Sequence, residues 1–209
     1  MATESAEVAA TTLSELWRDW ASRILAIRDE QWETPTRCEG WNVRALVAHV
    51  VPDPDLLAWL PSTVLDQRPA VADAIDLLRG FNQRGGVAHT MAPMVAAAAI
   101  ANSRLLTPAR LARRFSTSAQ VAAAATMEPD EVVPHPVAGT VTVSVLTEVS
   151  IVEGTIHLLD LIDAIGGPPP PLGSIAYTSA MFLRMAEPIR FLEVAAGRAD
   201  PSSIFPLVR

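Results

Sequence analysis

Glu153 and His157 stand four residues apart in a strongly apolar stretch. On a helix both side chains would leave the same face, one turn apart. Their neighbours are Ile151, Val152, Ile156, Leu158 and Leu159. An ionised carboxylate in such surroundings is costly unless it is paired or bound to a cation. A carboxylate and an imidazole on one face inside a bundle are the materials of a metal site built between facing helices. His49, beside Val47 and Val50 on an earlier segment, would supply a third ligand from across the bundle. Two histidines and one carboxylate leave coordination positions open, as catalytic sites do and structural sites do not. The same spacing also serves an ordinary surface or hydrogen-bonded Glu–His pair. Spacing alone leaves both readings open.

The remaining reactive side chains are few. His135 lies between two prolines and reads as a solvated loop residue; His89 follows Gly85-Gly86 and reads as a packing residue. Cys38 is the single cysteine, which excludes an internal disulfide and a Cys-cluster zinc site. It is expected to pack in the linker before Trp41, because only Arg37 nearby would lower its pKa. All 16 basic residues are arginine, so Schiff-base and lysine-nucleophile chemistry are ruled out.

The elements that must position these groups read as helices. Leu13, Leu16, Trp17, Trp20, Ile24 and Ile27 recur at helical spacing within residues 5–28. A linker, Glu33 to Trp41, follows; Asn42 then sits as an N-cap before Val43, Leu46, Val47 and Val50. Pro52 and Pro54 should end or kink that helix, with a further turn or two over Asp55–Leu65. Helical spacing resumes from Val71 to Ser103, interrupted at Gly85-Gly86 and Pro93, and Pro108 opens another helix running to Met127. A polar, Pro-rich loop is expected over Glu128–Gly139. The segment Val141–Ile165 is long enough to favour helix, although its early VTVSV alternates like a strand. A last helix is expected over Ser174–Ala196, then an irregular tail. The class is therefore all-α, a bundle, with one domain over 1–209: a core of about 5–166, and a C-terminal helix and tail over 172–209.

Composition sets the wider bounds. The chain has 209 residues, half of them hydrophobic, with a net charge of −7. That is room for one sizeable core. With no dense basic stripe, nucleic acid is not an expected partner. The longest apolar run, Met94–Ala101, is well short of the roughly 20 residues that span a bilayer, so no membrane partner is expected. The opening MATESAEVAATT carries two Glu and no Arg, the wrong flank for a signal peptide, so a cytoplasmic protein is expected.

The segment TPTRCEGWNVRALVAHVV, Thr34 to Val51, resembles the N-terminal signature of the mycothiol-dependent maleylpyruvate isomerase-like family. Its elements appear here as Cys38, Gly40, Trp41, Arg44, Ala48 and His49. A second signature appears as Glu153, His157, Asp160, Leu161 and Gly166, and the closing GR…FPLVR from Gly197 also resembles the tail of short members. The family lies in the DinB/YfiT-like superfamily of metal-binding bundles. The resemblance implies a DinB-like four-helix bundle of up-down-down-up connectivity with an additional C-terminal helix. It implies His49, Glu153 and His157 as ligands of a divalent metal, zinc or nickel, with Asp160 orienting them from behind. It further implies an enzyme using a low-molecular-weight thiol, mycothiol, for thiol transfer to, or cis–trans isomerisation of, a small-molecule electrophile. Alternatives are a thiol-independent metal hydrolase or lyase, and a non-catalytic ligand-binding bundle. A homodimer is compatible with this picture.

Two departures shape those expectations. The characterised isomerase has a further C-terminal domain contributing to its active site, for which these residues leave no room, so maleylpyruvate is not the expected substrate. Pro52-Asp53-Pro54-Asp55 falls where the family's helix continues. The Ala, Arg and Pro bias fits a GC-rich genome and hence an actinobacterial source, where mycothiol is the main thiol.

Overall fold

A computed structural model describes residues 2–208. Helix α1 (Ala2–Ala26) buries most of the stripe anticipated from its spacing: Leu13, Leu16, Trp17, Trp20 and Ile24 are inside, while Ile27 lies just past the helix end and is partly buried. Against it lies a second long helix, Pro108–Ala124 (α7 in chain order), capped by the Thr107 hydroxyl accepting from the Arg110 amide. Phe115 stacks on Trp20 at 5.3 Å between centroids and tilts against Trp17 at the same distance. The buried Ser14 hydroxyl donates to the Ala119 carbonyl, tying the two helices together. This helix ends earlier than Met127 because Ala125 turns into the left-handed region at φ 43°.

Between α1 and α7 the chain forms short pieces. Helix α2 (Val43–Val50) begins where Asn42 accepts from the Ala45 amide, as its sequence position implies. It stops before Pro52, and Pro54 opens α3 (Pro54–Trp59), capped by Asp53 and followed by a 3-10 turn, Leu60–Thr63. Next come α4 (Ala74–Asn82), α5 (Val87–Thr90) and α6 (Ala92–Leu105). Gly85-Gly86 separates α4 from α5, and the second expected interruption falls at Met91, with Pro93 in the first turn of α6.

Two expectations are corrected in the second half. The loop expected over Glu128–Gly139 contains strand β1 (Val132–His135), which pairs antiparallel with β2 (Gly139–Thr142), Val132 opposite Thr142. The β-branched pairs Val132–Thr142 and Val133–Val141 bury their side chains, so packing outweighs the polar residues around them. Helix α8 (Val143–Ile165) therefore starts two residues into the segment expected to be mainly helical, after the end of β2 takes the strand-like start of VTVSV. The last expected helix is two, α9 (Leu172–Met185) and α10 (Pro188–Ala195). Pro188 cannot donate to the ladder, and the Glu187 carboxylate caps the new start by accepting from Ile189 and Arg190 amides.

The described residues are thus all-α apart from one hairpin. Helix α8 is the centre of the fold: it packs on α1, α2, α4 and α9, with one core toward α1, α2 and α7 and a second toward α4, the hairpin and α9. Gly154 permits the closest approach to α1. A Cβ there would lie 2.8 Å from the Trp17 ring, and the Trp20 indole donates to the Gly154 carbonyl at 3.0 Å. Among the described residues no helix is long and apolar enough to cross a membrane.

Candidate functional site

Three pieces of chain converge at the later half of α8. Asn42 fixes the start of α2, so that His49 falls in its last turn. The Thr142 cap fixes the start of α8, so that Glu153, His157 and Asp160 share one face. The linker before α2 is a tight turn: the Thr36 amide donates to the Trp41 carbonyl, the Trp41 amide to the Cys38 carbonyl, and Gly40 takes the left-handed φ of 79°. The turn presents Arg37, Cys38 and Trp41 to α8.

The structure brings His49, Glu153 and His157 together, one donor atom of each lying within 4.8 Å of the others. The two imidazoles meet edge to face at 5.1 Å between centroids. His157 Nε2 is 3.6 Å from the Glu153 carboxylate, whose side chain is half exposed. Behind it, His157 Nδ1 lies 2.8 Å from Asp160 Oδ2. Asp160 is buried, and its other donors are the Arg37 guanidinium at 2.6 Å and the Cys38 thiol at 3.3 Å. Trp41 closes one side, its ring 4.7 Å from His49 and 6.1 Å from His157. Its indole N–H is buried with no partner among the described residues.

Electrostatics separates the two histidines. Burial, and then the charge on His157, lowers His49 to about 4, so it is neutral at pH 7. Burial also opposes the charged form of His157, but the hydrogen bonds to Asp160, Cys38 and Glu153 outweigh it and push it up to about 11. Burial would raise Asp160 as well; the His157 and Arg37 hydrogen bonds win and hold it below the usual carboxylate range. The pair therefore shares one proton, held on His157. With Asp160 engaging Nδ1, it is Nε2 that turns toward Glu153 and His49.

The other candidates sit elsewhere. His135 is in β1, where its Nδ1 accepts from the Val137 and Ala138 amides, and burial lowers its pKa; it is a turn-capping residue, not a solvated loop one. His89 is exposed and faces the Asn82 carbonyl at 3.2 Å, so it does not pack in a core. Cys38 does pack against the core, yet its sulfur also reaches Asp160. Sequence reasoning missed this contact and the Arg37 one. The available signal was Asp160 itself, a carboxylate in an apolar helix that required partners.

Residues 13–162 match the family described as the mycothiol maleylpyruvate isomerase N-terminal domain. The chain belongs to this family. The match takes in the linker turn, α2 and α8 through Asp160, and with them every residue of the cluster. Helices α9 and α10 lie beyond it. No curated protein and no solved structure matches the chain.

Proposed function

We propose that His49, Glu153 and His157 hold a divalent metal, zinc or nickel, and that the protein uses it to transfer or add mycothiol to a small-molecule electrophile. One observation carries the reading: two imidazoles and a carboxylate face one another while a buried Asp160 holds the far nitrogen of His157. Carboxylate–histidine pairs of this kind orient metal-ligating imidazoles and raise their basicity. Family membership supports the thiol. The donor set suits the ion chemically, since burial keeps His49 neutral and a cation can replace the proton on His157.

The ion's contribution would be to stabilise a thiolate near neutral pH, because a thiol is otherwise protonated there. The rest falls to the chain. Asp160 sets the tautomer of His157, Arg37 keeps Asp160 ionised, and half-exposed Glu153 leaves that side open for an incoming thiol and electrophile. Trp41 covers His49 and offers an unused indole N–H beside the cluster. Cys38 is not the nucleophile in this reading, as its thiol is engaged with Asp160. We further read α1, α2, α7 and α8 as the DinB-like bundle, within one domain of a cytoplasmic protein.

Elemental analysis of purified protein, with and without mycothiol and an activated alkene, tests the proposal. One equivalent of metal is expected, lost when His49, Glu153 and His157 are all replaced by Ala, together with mycothiol-dependent adduct formation. Metal binding that survives the triple substitution overturns the ligand assignment. Turnover without thiol replaces thiol chemistry with hydrolysis or elimination by bound water.

A further inference from the structure

His157 meets a different set of donor atoms at each ring nitrogen. Nε2 turns toward Glu153 and His49, whereas Nδ1 turns toward Asp160. The inner set also contains a sulfur. Cys38, His157 and Asp160 each place one donor atom within 4.8 Å of the other two. Asp160 Oδ2 is their hub, 2.8 Å from His157 Nδ1 and 3.3 Å from Cys38 Sγ. Zinc-type bonds run to about 2.0–2.2 Å for nitrogen and oxygen and about 2.3 Å for sulfur. Two such bonds at roughly 90–100° hold their ligand atoms about 2.8–3.3 Å apart. The inner atoms are therefore spaced as neighbouring ligands of one ion. Arg37 takes the other carboxylate oxygen, Oδ1, at 2.6 Å and leaves Oδ2 to the cluster. Ligating carboxylates are held from behind in this way. The set can also be reached: Cys38 is half-buried in a turn whose neighbours Arg37 and Glu39 are exposed.

We propose that Cys38, His157 and Asp160 form a second cation site, for thiophilic ions of the cadmium class, behind the set of His49, Glu153 and His157. Softness separates the two sets, because a thiolate selects soft ions and the outer set has no sulfur. A neutral imidazole offers one lone pair, so the sets share His157 and an ion occupies one of them at a time. On binding, the thiol proton and one His157 proton pass to solvent. The lone pairs of Sγ, Nδ1 and Oδ2 then fill three positions on the ion, and water completes its shell. The guanidinium of Arg37 offsets one of the two negative charges gathered there. This site stands whether or not the outer set binds metal.

The test titrates cadmium chloride into the chelator-treated full chain and reads the ultraviolet thiolate-to-metal charge-transfer band. One equivalent should saturate the band in the wild type. The band should survive in the His49→Ala/Glu153→Ala double variant, which dismantles the outer set, so the result is read separately from that assignment. In the double-variant background, Cys38→Ser should abolish the band. Cys38→Ser and, separately, Asp160→Asn should each weaken cadmium at least about 10-fold against a competing chelator, the lower bound even for groups that only support a ligand. Thermal unfolding confirms that each variant is folded. X-ray absorption of the cadmium-loaded double variant needs no further substitution and should show one sulfur together with imidazole scattering. Absence of the band in the wild type, or its loss in the folded double variant, overturns the site. Sulfur without imidazole, or affinity unchanged by Asp160→Asn, also overturns it, by making Cys38 a lone thiol ligand.

Discussion

One face of α8 looks onto two spaces of opposite character. In its later half, Glu153, His157 and Asp160 meet His49, Arg37 and Cys38, and the polar groups there largely satisfy one another. In its earlier half, Leu146 and Ser150 border a hollow between α1, α7 and α8, and the nearby Ser118 hydroxyl is buried with no partner among the described residues. The first space is partnered except for the buried Trp41 indole N–H, and in the proposed reading it takes a cation in place of a proton. The second is lined mostly by small and apolar side chains. The two halves therefore differ in how far polar groups gather there and partner one another.

Removing the keystone of the satisfied half should produce the largest effect. Asp160→Ala leaves His157 and Cys38 without their partner and Arg37 unpaired. Loss of about 3 kcal/mol is expected in urea unfolding, the low end for breaking a buried ion pair, since Arg37 is half exposed. Metal affinity, read by competition with a chelator, should fall about 10- to 100-fold. Unchanged stability would mean that the two halves of α8 differ less than their hydrogen bonds indicate.

The second prediction sharpens the exchange picture. In chelated protein the folded imidazole pair keeps one proton from about pH 4 to about pH 11. The unfolded chain keeps two below about pH 6.5 and none above it. On the acid side the unfolded state binds more protons, so stability falls as pH drops from 6.5 through 4, through His49. On the alkaline side the folded state binds more, so stability falls as pH rises from 6.5 through 11, through His157. Each slope is about 1.4 kcal/mol per pH unit. Unfolding at pH 5, 6.5 and 8, for wild type minus the His49→Ala/His157→Ala double variant, should trace a maximum near 6.5. A monotonic difference would break the shared-proton account.

The smallest effect is expected from Cys38→Ser. A hydroxyl can donate to Asp160 as the thiol does, so stability should move by less than about 1 kcal/mol and thiol-dependent turnover should persist. Loss of turnover in this variant alone would make Cys38 the nucleophile.

The cluster was legible in the sequence because its spacing is local: two α8 residues one turn apart and a histidine at the end of a capped helix. Arg37 and Cys38 were harder to find, since they reach Asp160 across more than 120 positions and only tertiary packing brings them there. The hollow was not legible at all, because small residues at helical spacing read equally as close helix packing. The strand Val132–His135 was missed because Pro134 and His135 mask its two buried valines, and the break at Pro188 because the apolar pattern runs on either side of it.

The junction between hairpin and helix bears on how this chain can change. Thr142 ends β2 and caps α8 with no residue between, while the Val143 and Ser144 amides donate back to Glu131 and Pro129 carbonyls. One residue inserted there would turn every α8 side chain by about 100°. Glu153 and His157 would swing away from His49, and Ser150 away from Ser118. The hairpin tip at 136–138 has no such lever on the helix. Lengthened or shortened tips are therefore compatible with both spaces in related chains, whereas insertions and deletions at the join are not.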